Sequence, residues 1–165
     1  MSSRPDIAAF TTAPLRNRIR VELNAPVPEV WALVGDPARM PEYSAGLARV
    51  EACADAGGRY ESYVCHFKPM PGEEGIVSRD IMRWWEPDHG WASSGAEADA
   101  FGLSNDLNVT MIEARNEGAT LTWEVYFDAQ DVAGMKAHFD EALADIAQNL
   151  VRRFGGRLVE RIVEV

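Results

Sequence analysis

The sequence predicts an α+β domain. It reads as seven short antiparallel strands and one long C-terminal helix, with two short helices after the first strand. Three observations predict it. Strand-length apolar pieces, punctuated by Gly, Pro, Asn and Asp, fill residues 45–128. The separators between them are short, which suits hairpins and not crossover units. An amphipathic stripe then runs through 132–154.

Each element has its own signal. Residues 16–23 read as the first strand. Val27, Val30, Trp31 and Val34 then recur at i, i+3, i+4 and i+7, one face of a short helix. Asn24 is a candidate cap, and Pro26 or Pro28 suits a first turn that needs no donor. Gly35 suits the stop. Asp36-Pro37 opens a second short turn, closed by Pro41. Further strands are expected over 47–53, 58–67, 75–85, 90–96, 105–113 and 119–128. Val132, Met135, Phe139, Leu143, Ile146, Leu150 and Phe154 follow at steps of 3, 4, 4, 3, 4 and 4, the stripe of the long helix. Asp131 is its candidate cap, Arg152 and Arg153 lie near its negative end, and Gly155-Gly156 weakens or bends it. Residues 1–15 show no clean period and read as a loose arm.

Composition narrows the function. A chain of 165 residues with 47% apolar content supports one domain with a real core. A net charge of -10 repels phosphate backbones, which argues against nucleic acid and anionic membranes as partners. No apolar run approaches the length of a membrane span, and the N-terminus lacks the basic start and apolar block of a signal peptide. Two cysteines, Cys53 and Cys65, suit a reducing cytoplasm. His66, His89 and His138 have no metal-ligand spacing, so no metal is expected. Nucleophile-elbow, P-loop and dinucleotide signatures are missing, and no cofactor is expected.

Four pieces carry a resemblance: Ala25-Pro-Val-Pro-Glu-Val-Trp31 with Asp36; Ser78-Arg-Asp-Ile-Met-Arg-Trp-Trp-Glu-Pro87; Gly118-Ala-Thr-Leu-Thr-Trp123; and the last helix. In this order they resemble the START-type ligand-binding superfamily (SRPBCC), and its polyketide cyclase/dehydrase-like branch in particular. The resemblance implies a helix-grip fold, in which the curved seven-stranded sheet wraps the long helix around an apolar cavity. Pro41-Glu-Tyr43 departs from the proline-tryptophan pair of many relatives, with Tyr43 taking the aromatic role. Lys68-Pro-Met-Pro-Gly72 reads either as an ordinary hairpin loop or, by resemblance to the plant hormone receptors, as a gate.

Strand parity selects the cavity wall, because side chains alternate between faces. On 119–128 the apolar set Leu121, Trp123, Val125 and Phe127 should face the helix. On 105–113 the set Leu107, Val109 and Met111 is chosen. On 75–85, Arg79 and Arg83 mark the outer face and turn Ser78, Asp80, Met82 and Trp84 inward. On 58–67, Arg59 and Glu61 do the same for Tyr60, Ser62, Val64 and His66, although Tyr63 and Phe67 argue for the other parity. Ser62 and Asp80 are equally distant from Pro71, which suggests cross-strand neighbours. Asp80 is then a carboxyl on an apolar wall, and Asp80 and His66 are the candidate acid–base residues. Tyr60, Ser62, His66 and Asp80 form a polar patch, and Met82, Trp84, Val109, Met111, Trp123, Phe139 and Leu143 form apolar walls. The expected partner is a small hydrophobic or aromatic molecule, with homodimer formation left open. Two functions remain: a cyclase/dehydrase-like enzyme, or a non-catalytic carrier, sensor or partner-regulating module.

Overall fold

The computed structural model describes residues 4–96 and 101–163. Strand β1 (Leu15–Leu23) leads into helix α1 (Val27–Val34) and a 3-10 helix (Pro37–Glu42). Six strands follow: β2 (Leu47–Ala54), β3 (Tyr60–Phe67), β4 (Val77–Glu86), β5 (Gly90–Gly95), β6 (Leu103–Arg115) and β7 (Gly118–Ala129). Helix α2 (Val132–Phe154) and strand β8 (Gly156–Val163) end the chain. The pairings are antiparallel, in the order β2-β3-β4-β5-β6-β7-β1-β8. The sheet curves around α2 as the helix-grip fold requires.

The eighth strand is an addition to the seven expected. Gly155 and Gly156 both adopt positive φ, 77° and 122°, which turns the chain sharply out of α2. A Cβ on Gly156 would lie 1.9 Å from the Glu22 carbonyl oxygen, so only glycine lets β8 reach β1. Arg161 then clasps Asp140 of α2 at 2.7 and 2.8 Å.

The caps follow the sequence in two cases out of three. Asp36 accepts from the Ala38 amide at 3.0 Å, and Asp131 accepts from the Gly134 amide at 2.9 Å. Asn24 does not cap α1; Pro26 holds that place without a side-chain bond. Gly35 ends α1 because the Trp31 indole lies over it, and a Cβ there would meet the ring at 2.4 Å.

The main core lies between the sheet and α2. Ile19, Val21, Leu23, Leu121, Val125 and Phe127 of the sheet meet Leu143, Ile146, Ala147 and Leu150 of the helix. A second, smaller core covers the opposite sheet face. It joins Ala92, Leu107, Val109 and Met111 to Trp84 and Tyr126, and Ile7 and Phe10 pack on it from the N-terminal segment. Residues 4–14, expected as a loose arm, therefore lie across the outer face. Thr11 fixes them by donating to the Asn105 carbonyl at 2.5 Å. Beneath them Glu124, 1% exposed, accepts from Arg18 at 2.8 and 2.5 Å.

This second core corrects the parity of β6. The pairs Val109–Glu124 and Leu107–Tyr126 stand on the outer face, whereas Asn108–Val125 and Thr110–Trp123 face the helix. Val109 and Met111 are thus buried, but not toward α2. With both faces covered, apolar character no longer marks the inner one.

Candidate ligand cavity

Where the curved sheet lifts away from α2, two adjoining chambers open. The larger, about 130 Å³, is bordered by Met40, Tyr43, Leu47, Tyr63, Cys65, Phe67, Trp91 and Trp123 of the sheet side. Phe139, Ala142, Leu143 and Ile146 of α2 close it. The smaller, about 100 Å³, lies among Phe67, Ser78, Arg79, Asp80, Gly95, Phe101, Leu103, Asp106, Asn108 and Phe139, so Arg79, expected on the outer face, borders it too. Phe67, Asp80, Asn108 and Phe139 border both, so Asp80 stands at their junction.

The walls are rigid aromatics. Trp91 and Trp123 meet edge to face at 5.2 Å, and Tyr43 meets Trp123 in the same way at 6.4 Å. The Trp91 indole N–H donates to the Val34 carbonyl at 2.8 Å, which locks the ring against α1. Phe67 and Phe101 are edge to face at 5.1 Å at the smaller chamber.

The polar groups gather at the smaller chamber and are few at the larger. Tyr63 and Ser93 share a hydroxyl hydrogen bond of 2.6 Å. Asn108 Oδ1 accepts from the Trp123 indole at 3.4 Å. Asp106 accepts from the Gly95 amide at 2.9 Å, and Gly95 pairs with Asp80 across β4 and β5. Asp80 itself has no donor among the described residues. Loss of solvent pushes its carboxyl up to about 7, with the nearby Asp106 charge adding to the effect. Burial also holds the Tyr63 phenol and the Cys65 thiol well above their ordinary ranges, and Asp80 reinforces both. Both therefore stay neutral, and Cys65 is no thiolate nucleophile.

Asp80, Trp123, Phe139 and Leu143 border the cavity as the sequence placed them. The others stand elsewhere. The β3–β4 register pairs Tyr63 with Asp80 and Ser62 with Ile81, one residue from the expected match. That slip turns Tyr63, Cys65 and Phe67 inward and sends Ser62 and His66 to the opposite face. His66 bonds Glu51 at 2.9 Å there, remote from Asp80's face. Tyr60 returns to the inner side through a bulge beside Ser62, but it packs on Trp85 and bonds Asp36 at 3.2 Å, outside the cavity. Met82 points inward opposite Ser93 and packs into the core without bordering either chamber. A bulge between Met82 and Trp84 rotates Trp84 outward and Trp85 inward. Val109 and Met111 lie behind the sheet.

Sequence reasoning missed Tyr43, Tyr63, Cys65, Phe67, Trp91 and Asn108 as wall residues. The alternation Tyr63-x-Cys65-x-Phe67 held the signal for β3. Nothing in the sequence marked Asn108, a polar residue on a strand whose apolar residues face away.

The sequence matches the family profile described as polyketide cyclase / dehydrase and lipid transport, over residues 15–163. The chain belongs to that family. Solved structures share the fold of this polyketide cyclase/dehydrase-like protein at low identity. A START superfamily protein from Mycobacterium smegmatis superposes with a TM-score of 0.69 at 13% identity, covering 86% of this chain and 97% of that one. XoxI from Bacillus cereus gives 0.69 at 14%, covering 84% and 95%. The di-domain ARO/CYC StfQ from the steffimycin biosynthetic pathway gives 0.67 at 10%, covering 84% of this chain and 48% of StfQ. Comparison with curated proteins returns no match. Among the described residues, no helix is long and apolar enough to cross a membrane.

Proposed function

We propose that the chain binds a small hydrophobic or aromatic molecule in the two-chambered cavity, with Asp80 as the polar group that meets it. One observation carries this reading. A carboxyl with no donor among the described residues sits at the junction of two chambers walled by Phe67, Trp123 and Phe139. A half-buried carboxyl that lacks a donor costs stability, and a ligand that supplies a partner recovers that cost. The family match and the like-folded structures support a ligand-binding cavity.

The position of Asp80 favours a second, catalytic reading. A carboxyl titrating near 7 can take a proton from the carbon next to a carbonyl and return it to a departing hydroxyl. Those two transfers turn a β-hydroxy ketone into an enone and water, with no group consumed.

Mass spectrometry of small molecules retained through native purification tests the binding reading. A stoichiometric apolar guest, displaced when Phe139 or Leu143 is enlarged, supports it. An empty protein that also fails to bind any member of a small aromatic panel overturns it. Asp80→Asn separates the two readings: the enzyme keeps binding and loses turnover, whereas a carrier changes only in affinity.

A further inference from the structure

Tyr43 brings a second unpaired polar group to the cavity wall. It is 1% exposed and borders only the larger chamber, while Asp80 borders both. Its backbone is fixed at the end of the 3-10 helix: its N–H donates to the Met40 carbonyl at 3.1 Å. Its carbonyl accepts from Asn149 of α2 at 3.1 Å. The ring is wedged edge-on to Trp123. The backbone is therefore held on both sides and the ring is packed, yet the hydroxyl is fully buried and has no hydrogen-bond partner among the described residues. Buried hydroxyls are nearly always bonded, and leaving one unmade is costly. The neighbouring phenol, Tyr63, shows the usual outcome, with Ser93 at 2.6 Å.

We propose that Tyr43 is a specificity residue, whose hydroxyl donates to an acceptor oxygen on the bound molecule. This rests on the larger chamber being the binding site. The direction of the bond follows from the chemistry. Burial holds the phenol well above its ordinary 10, so it remains an O–H at working pH. Its ring draws density from the oxygen, which makes a phenol a better donor than acceptor. The ligand class is thus an aromatic or alicyclic ketone or similar oxygen acceptor, and not a plain hydrocarbon. The apolar body lies along Trp91, Trp123 and Leu143. A second polar atom on the same ligand would reach Asp80, which borders the same chamber.

The test uses a matched pair of probes, acetophenone and isopropylbenzene, which share a shape and differ in the carbonyl. Calorimetric titration of the wild-type protein should show the ketone binding more tightly, by about 3- to 10-fold for one hydrogen bond. Tyr43→Phe should abolish that preference while leaving isopropylbenzene affinity unchanged. The unliganded variant supplies a second measurement. No hydrogen bond is lost in it, so its midpoint in urea should match or exceed the wild-type value. A lowered midpoint would mean that the hydroxyl has a partner within the protein, and would overturn the inference. An equal loss of both probes would do so too, by making Tyr43 a shape element only. If the wild-type protein binds neither probe, the binding reading falls, and the role of Tyr43 falls with it.

Discussion

Replacing Asp80 with Asn should stabilise the unliganded protein at alkaline pH and do little in acid. The carboxyl moves from an ordinary 3.8 to about 7 in the folded protein, chiefly through desolvation and secondarily through Asp106. The folded state therefore holds its proton more tightly than the unfolded chain. Below about pH 3.8 both states are protonated, and Asp80 imposes no charge penalty. Between about 3.8 and 7 the unfolded chain ionises first, so stability falls as pH rises. Above about 7 the full penalty is present and constant. At about 1.36 kcal/mol per pH unit, that penalty is on the order of 4 kcal/mol. Asn removes the charge but remains a buried polar group, so a net gain of about 2–4 kcal/mol is expected at pH 8. For a chain of this length, each kcal/mol raises Tm by about 2–4 °C. Thermal unfolding followed by circular dichroism from pH 4 to pH 8 should show wild type and variant diverging as pH rises. A difference that is flat with pH, or a variant less stable at pH 8, would refute the argument that Asp80 is a desolvated and unpaired acid.

Three further outcomes follow from the same geometry. Quenching of tryptophan fluorescence by acetophenone should fall in Trp91→Phe or Trp123→Phe and persist in Trp84→Phe, because Trp91 and Trp123 border the larger chamber and Trp84 packs behind the sheet; quenching unchanged in both Trp91→Phe and Trp123→Phe would move the ligand elsewhere. Leu143→Ala should cost less, roughly 2–3 kcal/mol, than Leu150→Ala at about 3–5 kcal/mol, since Leu143 already borders open volume; urea unfolding measures both. Glu124→Ala should cost about 1.5–3 kcal/mol, because Arg18 loses its closest carboxylate but keeps Glu160 at 3.5 Å, with probe affinity at 25 °C unchanged, because the pair lies on the face away from the cavity; a loss of affinity in the folded variant would contradict that separation.

The fold was legible in the sequence because its strongest signals are local. The stripe from Val132 to Phe154, the Asp36 and Asp131 caps and seven of the strands each rest on residues within one element. Strand β8 was hidden for a physical reason. Leu158-Val159 and Ile162-Val163 break strict alternation, and the chain slips by one residue against β1 between Arg20 and Val21. The cavity was less legible because its membership depends on register, which is a property of pairs of strands. A one-residue shift between β3 and β4 exchanged Ser62 and His66 for Tyr63 and Phe67. A bulge exchanged Trp84 for Trp85. On β6 the apolar residues were real core, but the N-terminal segment had covered them from the other side. Asp80 was legible because the arginines Arg79 and Arg83 flank its half of β4, and the bulge begins only beyond Met82.

The most direct test of a ligand cavity between the sheet and α2 is the site of contact itself. Nuclear magnetic resonance shift mapping during titration with acetophenone reads it residue by residue. The account predicts saturable shifts at Tyr43, Tyr63, Asp80, Asn108, Leu143 and the Trp123 indole N–H, with Val109, Met111 and Trp84 unmoved. Shifts confined to Val109, Met111, Trp84 and the N-terminal segment, or to the exposed face of the molecule, would contradict it.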